Sequence, residues 1–232
     1  TDEEKKLVAD HKLTPEQIKW RRYKIKELRD KFKQEYPEDP VTCFLTSGNS
    51  YFGNLSDVFV APDNAVYNAE HEYVAGLDFG QSNDFTAMPI LDLTANVQVD
   101  LLHTNKLSWA EQRSRIIAKY NQWHCSKVGA EMNSIGGVNV EALMAEGLNI
   151  VPFTTTNASK AEIMSNLYEA LHTEGLKLLD HPVQRHEMST FVSMQTSAGT
   201  WRLAAEGDAH DDTVIALGIA WWTKWRSNWT MI

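Results

Sequence analysis

The chain has 232 residues, 43% of them apolar and 10% aromatic, which is enough for one sizeable folded domain and excludes disorder by composition. Its formal net charge of −9 is the wrong sign for general nucleic-acid binding, so any DNA contact needs a local basic patch or a metal site. No run of about 18 apolar residues is present, so we expect no membrane-spanning helix. The two cysteines, Cys43 and Cys125, favour a reducing compartment over a zinc site or a disulfide framework.

The first 36 residues are rich in charged residues and helix formers. Thr14 as a helix cap, Pro15 in the first turn and Gln17 three residues after the cap predict a helix start. Lysines and arginines crowd the same segment, which predicts a solvated amphipathic helix, with a DNA or partner surface as the alternative. The N-terminus is neither a signal peptide nor an initiator methionine, so we expect a piece of a longer protein.

Pro37 and Pro40 predict the end of this helix. The aromatic-rich connector that follows is expected to lie on the surface of the next domain. We therefore predict a helical linker with a surface-packed connector over residues 1–70, and a folded domain over residues 71–232.

From Tyr73 onward the pattern is typical of strands joined by short turns, and then of alternating helices and strands. The predicted meander consists of Tyr73–Phe79, Phe85–Leu93 and Val97–His103. The elements predicted next are a helix from Ser108 to about Trp123, a strand at Val128–Glu131, a helix over 136–146, a strand at Asn149–Phe153 and a helix from about Thr156 to Glu174. The last predicted elements are a strand at Leu176–Leu179, a helical turn led by Pro182, a hairpin of Phe191–Gln195 and Thr200–Ala204, and a helix from Asp208 to about Trp225. This order predicts an α/β fold whose mixed sheet carries helices on both faces, which is the ribonuclease H-like architecture.

An acidic residue stands at each end of the first predicted turn, Asp78 before it and Asp84 after it. An ionised carboxylate is costly to bury at the end of an apolar strand, so Asp78 points to a bound cation or a nearby helix N-terminus. The alternative is that Asp78 faces water at an edge and that Asp84 forms an Asx turn.

Four further acidic residues are expected to lie close to Asp78 in the folded domain. Glu131 ends the fourth predicted strand, and parallel neighbouring strands release their last residues at one edge of a sheet. Asp208, Asp211 and Asp212 precede a helix that is apolar on nearly every face and therefore packs deeply. The alternative for these three acids is helix capping and interaction with the helix dipole.

Carboxylates that converge in this way repel one another unless cations neutralise them, and oxygen-only ligands suit Mg²⁺ or Mn²⁺. Two such ions about 3.5–4 Å apart act on a phosphodiester in two-metal nucleases. We predict Asp78 as the shared ligand, Glu131 on one metal, Asp211 or Asp212 on the other, and Asp84 as an added ligand or as a residue that orients a metal-bound water. His210 lies among these acids and is the one histidine that we single out.

The sequence also resembles the nuclease domain of the large terminase subunit of tailed bacteriophages. The resemblance rests on LTPEQIKWRRYKI, FKQEYPEDPVTCFLTSGNSYF, GLDFGQSNDFTA, AEMNSIG, FTTTNASKAEI and AHDDTVIALGIA. It implies a metal-dependent endonuclease that cuts double-stranded viral DNA concatemers at the start and end of genome packaging. The implied metal ligands are Asp78, Glu131 and the Asp211–Asp212 pair, with Asp84 as an accessory acid. Lys160 is implied as a DNA-binding or structural residue, with an exposed helix lysine as the alternative.

The resemblance implies partners and a location as well. These are the N-terminal packaging ATPase of the same polypeptide, the small terminase subunit, the portal protein, and the cytoplasm of the infected bacterial host rather than the mature virion. The sequence contains no G-x-x-x-x-G-K-[ST] phosphate loop, so we expect an isolated nuclease fragment that does not hydrolyse ATP.

Three other classes remain as alternatives. A resolvase of branched DNA would share the three acids but would not explain the terminase-like lead-in. An actin-like or sugar-kinase-like ATPase would use Asp78-Phe79-Gly80 and Thr86 for phosphates, but it needs a second similar domain and a glycine-rich adenosine site, which this sequence lacks. A non-catalytic scaffold would contact the portal or the small subunit and would tolerate loss of the acids.

Basic residues near the predicted acidic edge are sparse, so we expect weak DNA binding by the isolated domain. The Phe191–Ala204 hairpin, with Trp201 and Arg202, is a candidate DNA-contacting or gating element. The alternative is a hairpin packed at an edge.

Overall fold

The computed structural model describes residues 4–5, 7–8, 12–28, 36, 50–80, 84–133, 136–195, 201–207 and 209–225. Residues 1–49 and 50–232 form two compact units. Within the described residues, no helix is long and apolar enough to cross a lipid bilayer.

The first unit contains helix α1, Pro15–Leu28. Its start is the capping box predicted from the sequence: the Thr14 backbone N–H donates to Gln17 Oε1 at 2.8 Å, and the Gln17 N–H donates to Thr14 Oγ1 at 3.3 Å. Arg22 donates two hydrogen bonds to the carboxylate of Glu4, at 2.6 and 2.7 Å.

The second unit contains the sheet and the remaining helices. In chain order its elements are β1 Tyr73–Leu77, β2 Thr86–Asp92, β3 Val97–Thr104, α2 Trp109–Gln122, β4 Lys127–Glu131, α3 Gly136–Ala145, β5 Ile150–Phe153, α4 Asn157–His172, α5 Pro182–Thr190, β6 Phe191–Gln195, β7 Trp201–Ala205 and α6 Asp212–Thr223.

Five strands form one mixed sheet in the order β3-β2-β1-β4-β5, and β6 pairs with β7 in a separate hairpin. The meander β1-β2-β3 is antiparallel, whereas β1, β4 and β5 are parallel. In the register of β1 with β4, Leu77 lies opposite Ala130. This is the predicted ribonuclease H-like arrangement, including the parallel pairing of the first and fourth strands.

Helices cover both faces of the sheet, as predicted. Val74 of β1 belongs to a buried core formed with α4, α5 and α6, whereas Ala75 and Leu77 belong to a second core formed with α2 and α3. The alternation follows from the two-residue period of a strand. Other fully or nearly fully buried members of the first core are Phe52, Val58, Phe59, Leu167, Met188 and Trp221, and of the second Ile116 and Leu143.

Glycines in two strands let α6 lie directly against the sheet. A Cβ atom on Gly76 of β1 would come within 1.9 Å of the Ala216 carbonyl oxygen, and one on Gly129 of β4 within 2.1 Å of Thr223 Oγ1. Side chains at these positions would push the helix away. Since Ala216 lies about one helical turn after Asp212, this contact holds the start of α6 close to the end of β1.

The last helix is shorter than predicted, because it begins at Asp212 and ends at Thr223. The backbone at Asp211 (φ −131°, ψ 15°) is not helical, and its carbonyl accepts the first helical hydrogen bond from Ile215 N–H at 2.9 Å. The predicted start at Asp208 was therefore wrong, and Asp208 itself lies outside the described residues.

The predicted strand at Leu176–Leu179 was also wrong. Its residues make only isolated bridges, Lys177 with Val97 and Leu179 with Ala61, because each neighbouring segment pairs with it at a single residue. The first strand ends at Leu77 rather than Phe79, although an isolated bridge between Asp78 and Ala87 continues its pairing with the second strand.

Candidate metal centre

Asp78 and Glu131 are placed side by side by the parallel pairing of β1 and β4. Glu131 is the last residue of β4, and Asp78 follows β1 directly, one position beyond the Leu77–Ala130 pair. Two hydrogen bonds hold the Asp78 backbone against Ala87, at 3.1 and 3.0 Å. Both acids are half-buried.

The environment of Asp78 disfavours its charge. Burial raises the pKa of Asp78 well above its usual range, and the charge of Glu131 and a hydrogen bond with Glu131 raise it further. The charges of Asp212 and Asp211 act in the same direction. The structure therefore brings four of the five predicted metal ligands into one electrostatic neighbourhood.

Asp212 opens α6 and is only 8% exposed. Its Oδ2 accepts a hydrogen bond from the Phe85 backbone N–H at 3.1 Å, which ties α6 to the start of β2. Burial raises the pKa of Asp212 to about 6, with further contributions from the charges of Glu187 and Asp84, while the Phe85 hydrogen bond opposes the shift.

Asp211 has a different partner from its neighbour. Lys160 of α4 donates a hydrogen bond from Nζ to Asp211 Oδ2 at 2.9 Å, and the same ammonium lies 5.5 Å from the centre of the Phe191 ring. The Lys160 side chain is 17% exposed. Lys160 is therefore held in an ion pair beside the acids, and the alternative of an exposed helix lysine was wrong.

Asp84 and His210 extend the cluster toward solvent. His210 Nδ1 lies 3.8 Å from Asp84 Oδ1 and 3.6 Å from Asp212 Oδ2. One ligand atom from each of the three residues lies within 4.8 Å of the others, a spacing that can hold a metal ion. Asp84 is exposed, so the cluster is open on this side.

No family model matches the chain. The large terminase subunit of Thermus virus P23-45 is 28% identical over 225 residues, which cover 92% of this chain and 45% of that protein. The large terminase subunit of Thermus phage G20c is 27% identical with the same coverage. The chain therefore spans about 45% of the length of these curated relatives.

Solved structures give the same result at the level of the fold. The large terminase nuclease from the thermophilic phage G20c with bound magnesium superposes with a TM-score of 0.70 at 26% identity, over 75% of this chain and 97% of that chain. The chain is similar to terminase nuclease domains. This confirms the resemblance and the ribonuclease H-like fold predicted from the sequence.

The same phage G20c nuclease has been solved with bound cobalt, with a TM-score of 0.69 at 26% identity, over 75% of this chain and 97% of that chain. It has also been solved with bound zinc, with a TM-score of 0.62 at 25% identity, over 75% of this chain and 98% of that chain. The donor set of this chain fits a divalent cation too, because Asp78 and Glu131 share a site in which two negative charges are unfavourable without a positive ion.

A buried polar network joins Gly80, which follows β1, to Thr86 at the start of β2. Thr86 Oγ1 lies 2.8 Å from the Gly80 carbonyl oxygen, which also accepts from Gln112 Nε2 at 3.1 Å, and Thr86 Oγ1 contacts Gln112 Oε1. Thr86 and Gln112 are fully buried or nearly so. The network ties the backbone of Gly80, two residues after Asp78, to the start of β2 and to α2.

An aromatic stack is centred on Phe85, the residue after Asp84. The His103 ring is stacked on Phe85 at 4.4 Å between centroids, and Phe85 contacts His210 edge-on at 5.3 Å. Burial lowers the pKa of His103, and the charges of His181 and His210 add to the effect. This stack fixes the residue whose N–H holds Asp212.

Sequence reasoning missed Glu187, a buried acid on α5 whose Oε2 accepts two hydrogen bonds from Thr213 of α6. A signal was available: Gln184, Glu187 and Met188 follow helical spacing, and all three are buried. The pattern places Glu187 on the inner face of its helix.

Arg202 lies on β7, opposite Met194 of β6, and is exposed. Among the described contacts, none joins Arg202 to the acids. Its suggested role in DNA binding stays a prediction.

Proposed function

We propose that the chain is a divalent-metal-dependent DNA endonuclease that cuts double-stranded viral DNA concatemers at the start and end of genome packaging. The observation that carries the proposal is the placement of Asp78 and Glu131 at the ends of adjacent parallel strands, where Asp211 and Asp212 add their charges. The similarity to terminase nuclease domains, solved with magnesium, cobalt and zinc, supports it.

The geometry supports an assignment of the ligands. Asp78 would serve both ions, Glu131 would add to one site, and Asp212 with Asp84 would add to the other. Asp211 is the weaker candidate of the adjacent pair, because its carboxylate is neutralised by Lys160 at 2.9 Å. Carboxylate oxygens favour Mg²⁺ or Mn²⁺ as the ions.

Two divalent ions at such a site activate water and stabilise the leaving oxygen of a phosphodiester. The protein's part is to hold the carboxylates in place before DNA arrives. The N–H of Phe85 orients Asp212, the backbone pairing with Ala87 fixes Asp78, and the β4–β5 pairing of Glu131 with Phe153 fixes the third acid. DNA would lie over this edge of the sheet.

Partners and location follow as part of the proposal. We expect the chain to act with an N-terminal packaging ATPase of the same polypeptide, the small terminase subunit and the portal protein, in the cytoplasm of the infected bacterial host. The net charge of −9 predicts weak DNA binding by the 232-residue chain alone, so the ATPase would contribute much of the affinity for DNA.

A plasmid-cleavage assay tests the proposal. Purified chain is incubated with supercoiled plasmid and Mn²⁺, Mg²⁺ or EDTA, beside Asp78→Asn and the control Asp180→Asn, whose carboxylate is 63% exposed and pairs with Arg185. We expect metal-dependent nicking and linearisation in wild type and control, and a loss of at least about 100-fold in Asp78→Asn. An Asp78→Asn protein that cuts as fast as wild type would refute the assignment. Preference for a four-way junction over duplex would favour the resolvase alternative.

A further inference from the structure

Glu187 is a buried carboxylate with a single described partner residue. It lies on α5, is 2% exposed, and accepts from Thr213 through both the backbone N–H, at 2.8 Å, and Oγ1, at 2.5 Å. Both bonds reach Oε2. Its Oε1 is buried and finds no partner among the described residues. Burying a carboxylate in this way is unfavourable, so its retention calls for a physical reason.

The start of α6 supplies that reason. A helix leaves its first N–H groups without partners, and an aspartate at the cap or in the first turn normally satisfies them with its own carboxylate. Here Asp211 stands at the cap position without a side-chain capping bond to any described residue. Its carboxylate binds Lys160, and the carboxylate of Asp212 binds Phe85 instead.

Glu187, which lies on the separate helix α5, therefore caps the start of α6. The partial positive charge of a helix N-terminus favours an anion at this point, which offsets part of the burial penalty. The N–H of Thr213 donates to Glu187 of α5. Neither Asp211 nor Asp212 therefore has to cap this N–H with its own carboxylate.

We propose that Glu187 is a positioning residue for the metal centre: by capping α6 from α5, it leaves the carboxylate of Asp212 free to bind the Phe85 N–H beside the cluster and the carboxylate of Asp211 free to pair with Lys160. The inference rests on the proposed function, because it assigns Glu187 a role in the same site. Glu187 binds no metal in this role and acts through the start of α6.

Substitutions at Glu187 separate the effect of its negative charge from the effect of its hydrogen bonds to Thr213. Glu187→Gln keeps an oxygen that accepts both bonds from Thr213 but removes the charge, whereas Glu187→Ala removes both. Thr213→Val removes only the hydroxyl bond and keeps the size of a fully buried side chain. Gln184→Ala is the matched control, since Gln184 is equally buried on the same helix but pairs with Gln98 on β3.

The test is the affinity for Mn²⁺ measured by calorimetry on the 232-residue chain, with circular dichroism to establish folding. We expect Glu187→Ala to weaken Mn²⁺ binding about tenfold or more, which is the usual effect of losing a residue that orients metal ligands. Glu187→Gln should recover most of that loss, Thr213→Val should fall between Gln and Ala, and Gln184→Ala should lower the melting temperature while keeping wild-type affinity.

Several results would overturn this role. They are wild-type affinity in a folded Glu187→Ala protein, an equal loss in Gln184→Ala, or a Gln variant as weak as the Ala variant. If Glu187→Ala does not fold, wild-type affinity in Thr213→Val together with a weak Gln variant overturns it. A wild-type chain that binds no Mn²⁺ would refute the proposed function itself, whereas the preceding results would leave it intact.

Discussion

Replacing Asp212 with asparagine should stabilise the metal-free protein and weaken its stabilisation by metal. Asparagine has nearly the same shape, and its Oδ1 can still accept from the Phe85 N–H. A carboxyl whose pKa is higher in the folded than in the unfolded state lowers stability once it is ionised, and the loss develops as pH rises from the unfolded value to the folded one. For Asp212 that window lies between 3.8 and about 6.

The size of the effect follows from the pKa. One pKa unit is worth about 1.36 kcal/mol, so a rise from 3.8 to about 6 corresponds to roughly 3 kcal/mol of lost stability at pH 8. The buried asparagine amide offsets part of this gain, which leaves about 1–3 kcal/mol. For a unit of this size the melting temperature should rise by about 5 °C in EDTA at pH 8.

Adding metal should reverse the order of stability of the wild type and Asp212→Asn. Mn²⁺ at about 100 times its Kd stabilises a binding protein by about 2.7 kcal/mol, and Asp212→Asn should gain little of it. The assay is thermal unfolding at pH 4 and pH 8, with EDTA or Mn²⁺, beside the exposed-acid control Asp180→Asn. The reasoning is refuted if Asp212→Asn melts no higher than wild type at pH 8 in EDTA, or if its advantage is as large at pH 4 as at pH 8.

Three further predictions concern packing, the ion pair and the buried thiol. Gly76→Ala should lower the free energy of unfolding in urea by about 3 kcal/mol or more, because the new methyl group overlaps α6. The control Gly137→Ala should be tolerated, because its Cβ would have its nearest neighbour at 3.7 Å. Equal losses of stability in the two variants would contradict the close packing of α6 on β1. A double-mutant cycle on Lys160 and Asp211 should give a coupling of about 1 kcal/mol in urea unfolding, and zero coupling would argue against the ion pair. Burial raises the pKa of Cys125 to about 12, so mass spectrometry should find this thiol unmodified by iodoacetamide at pH 8 until the protein unfolds; rapid labelling of folded protein would contradict its burial.

The sequence was sufficient for features that depend on local chemistry or on sheet topology. The helix starts at Ser108 and Thr156 were predictable from the sequence, and in the structure each is a capping box whose cap and partner lie three residues apart. The approach of Asp78 to Glu131 was predictable from the order of strands and helices, because parallel neighbours end at the same edge.

Contacts between distant segments were not predictable in this way. Lys160 and Asp211 are 51 residues apart, and Glu187 and Thr213 are 26 apart, so no short-range pattern connects them. The start of α6 was misjudged for the same reason. Asp208 is a good cap by residue type, but a cap supplied by Glu187 from another helix removes the need for a local one.

The adjacent acids at the start of α6 show how an apparent redundancy in sequence resolves in three dimensions. Asp211 lies at the non-helical cap position, whereas Asp212 is the first helical residue. Asp211 turns to Lys160 on α4, while Asp212 turns to Phe85 beside the hairpin turn that carries Asp84. The Asp211 carboxylate is thus paired with the Lys160 ammonium, whereas burial raises the pKa of the Asp212 carboxyl to about 6, a condition that a divalent ion relieves. On the proposed assignment, Asp211 would anchor the helix start and Asp212 would present its charge to the cluster.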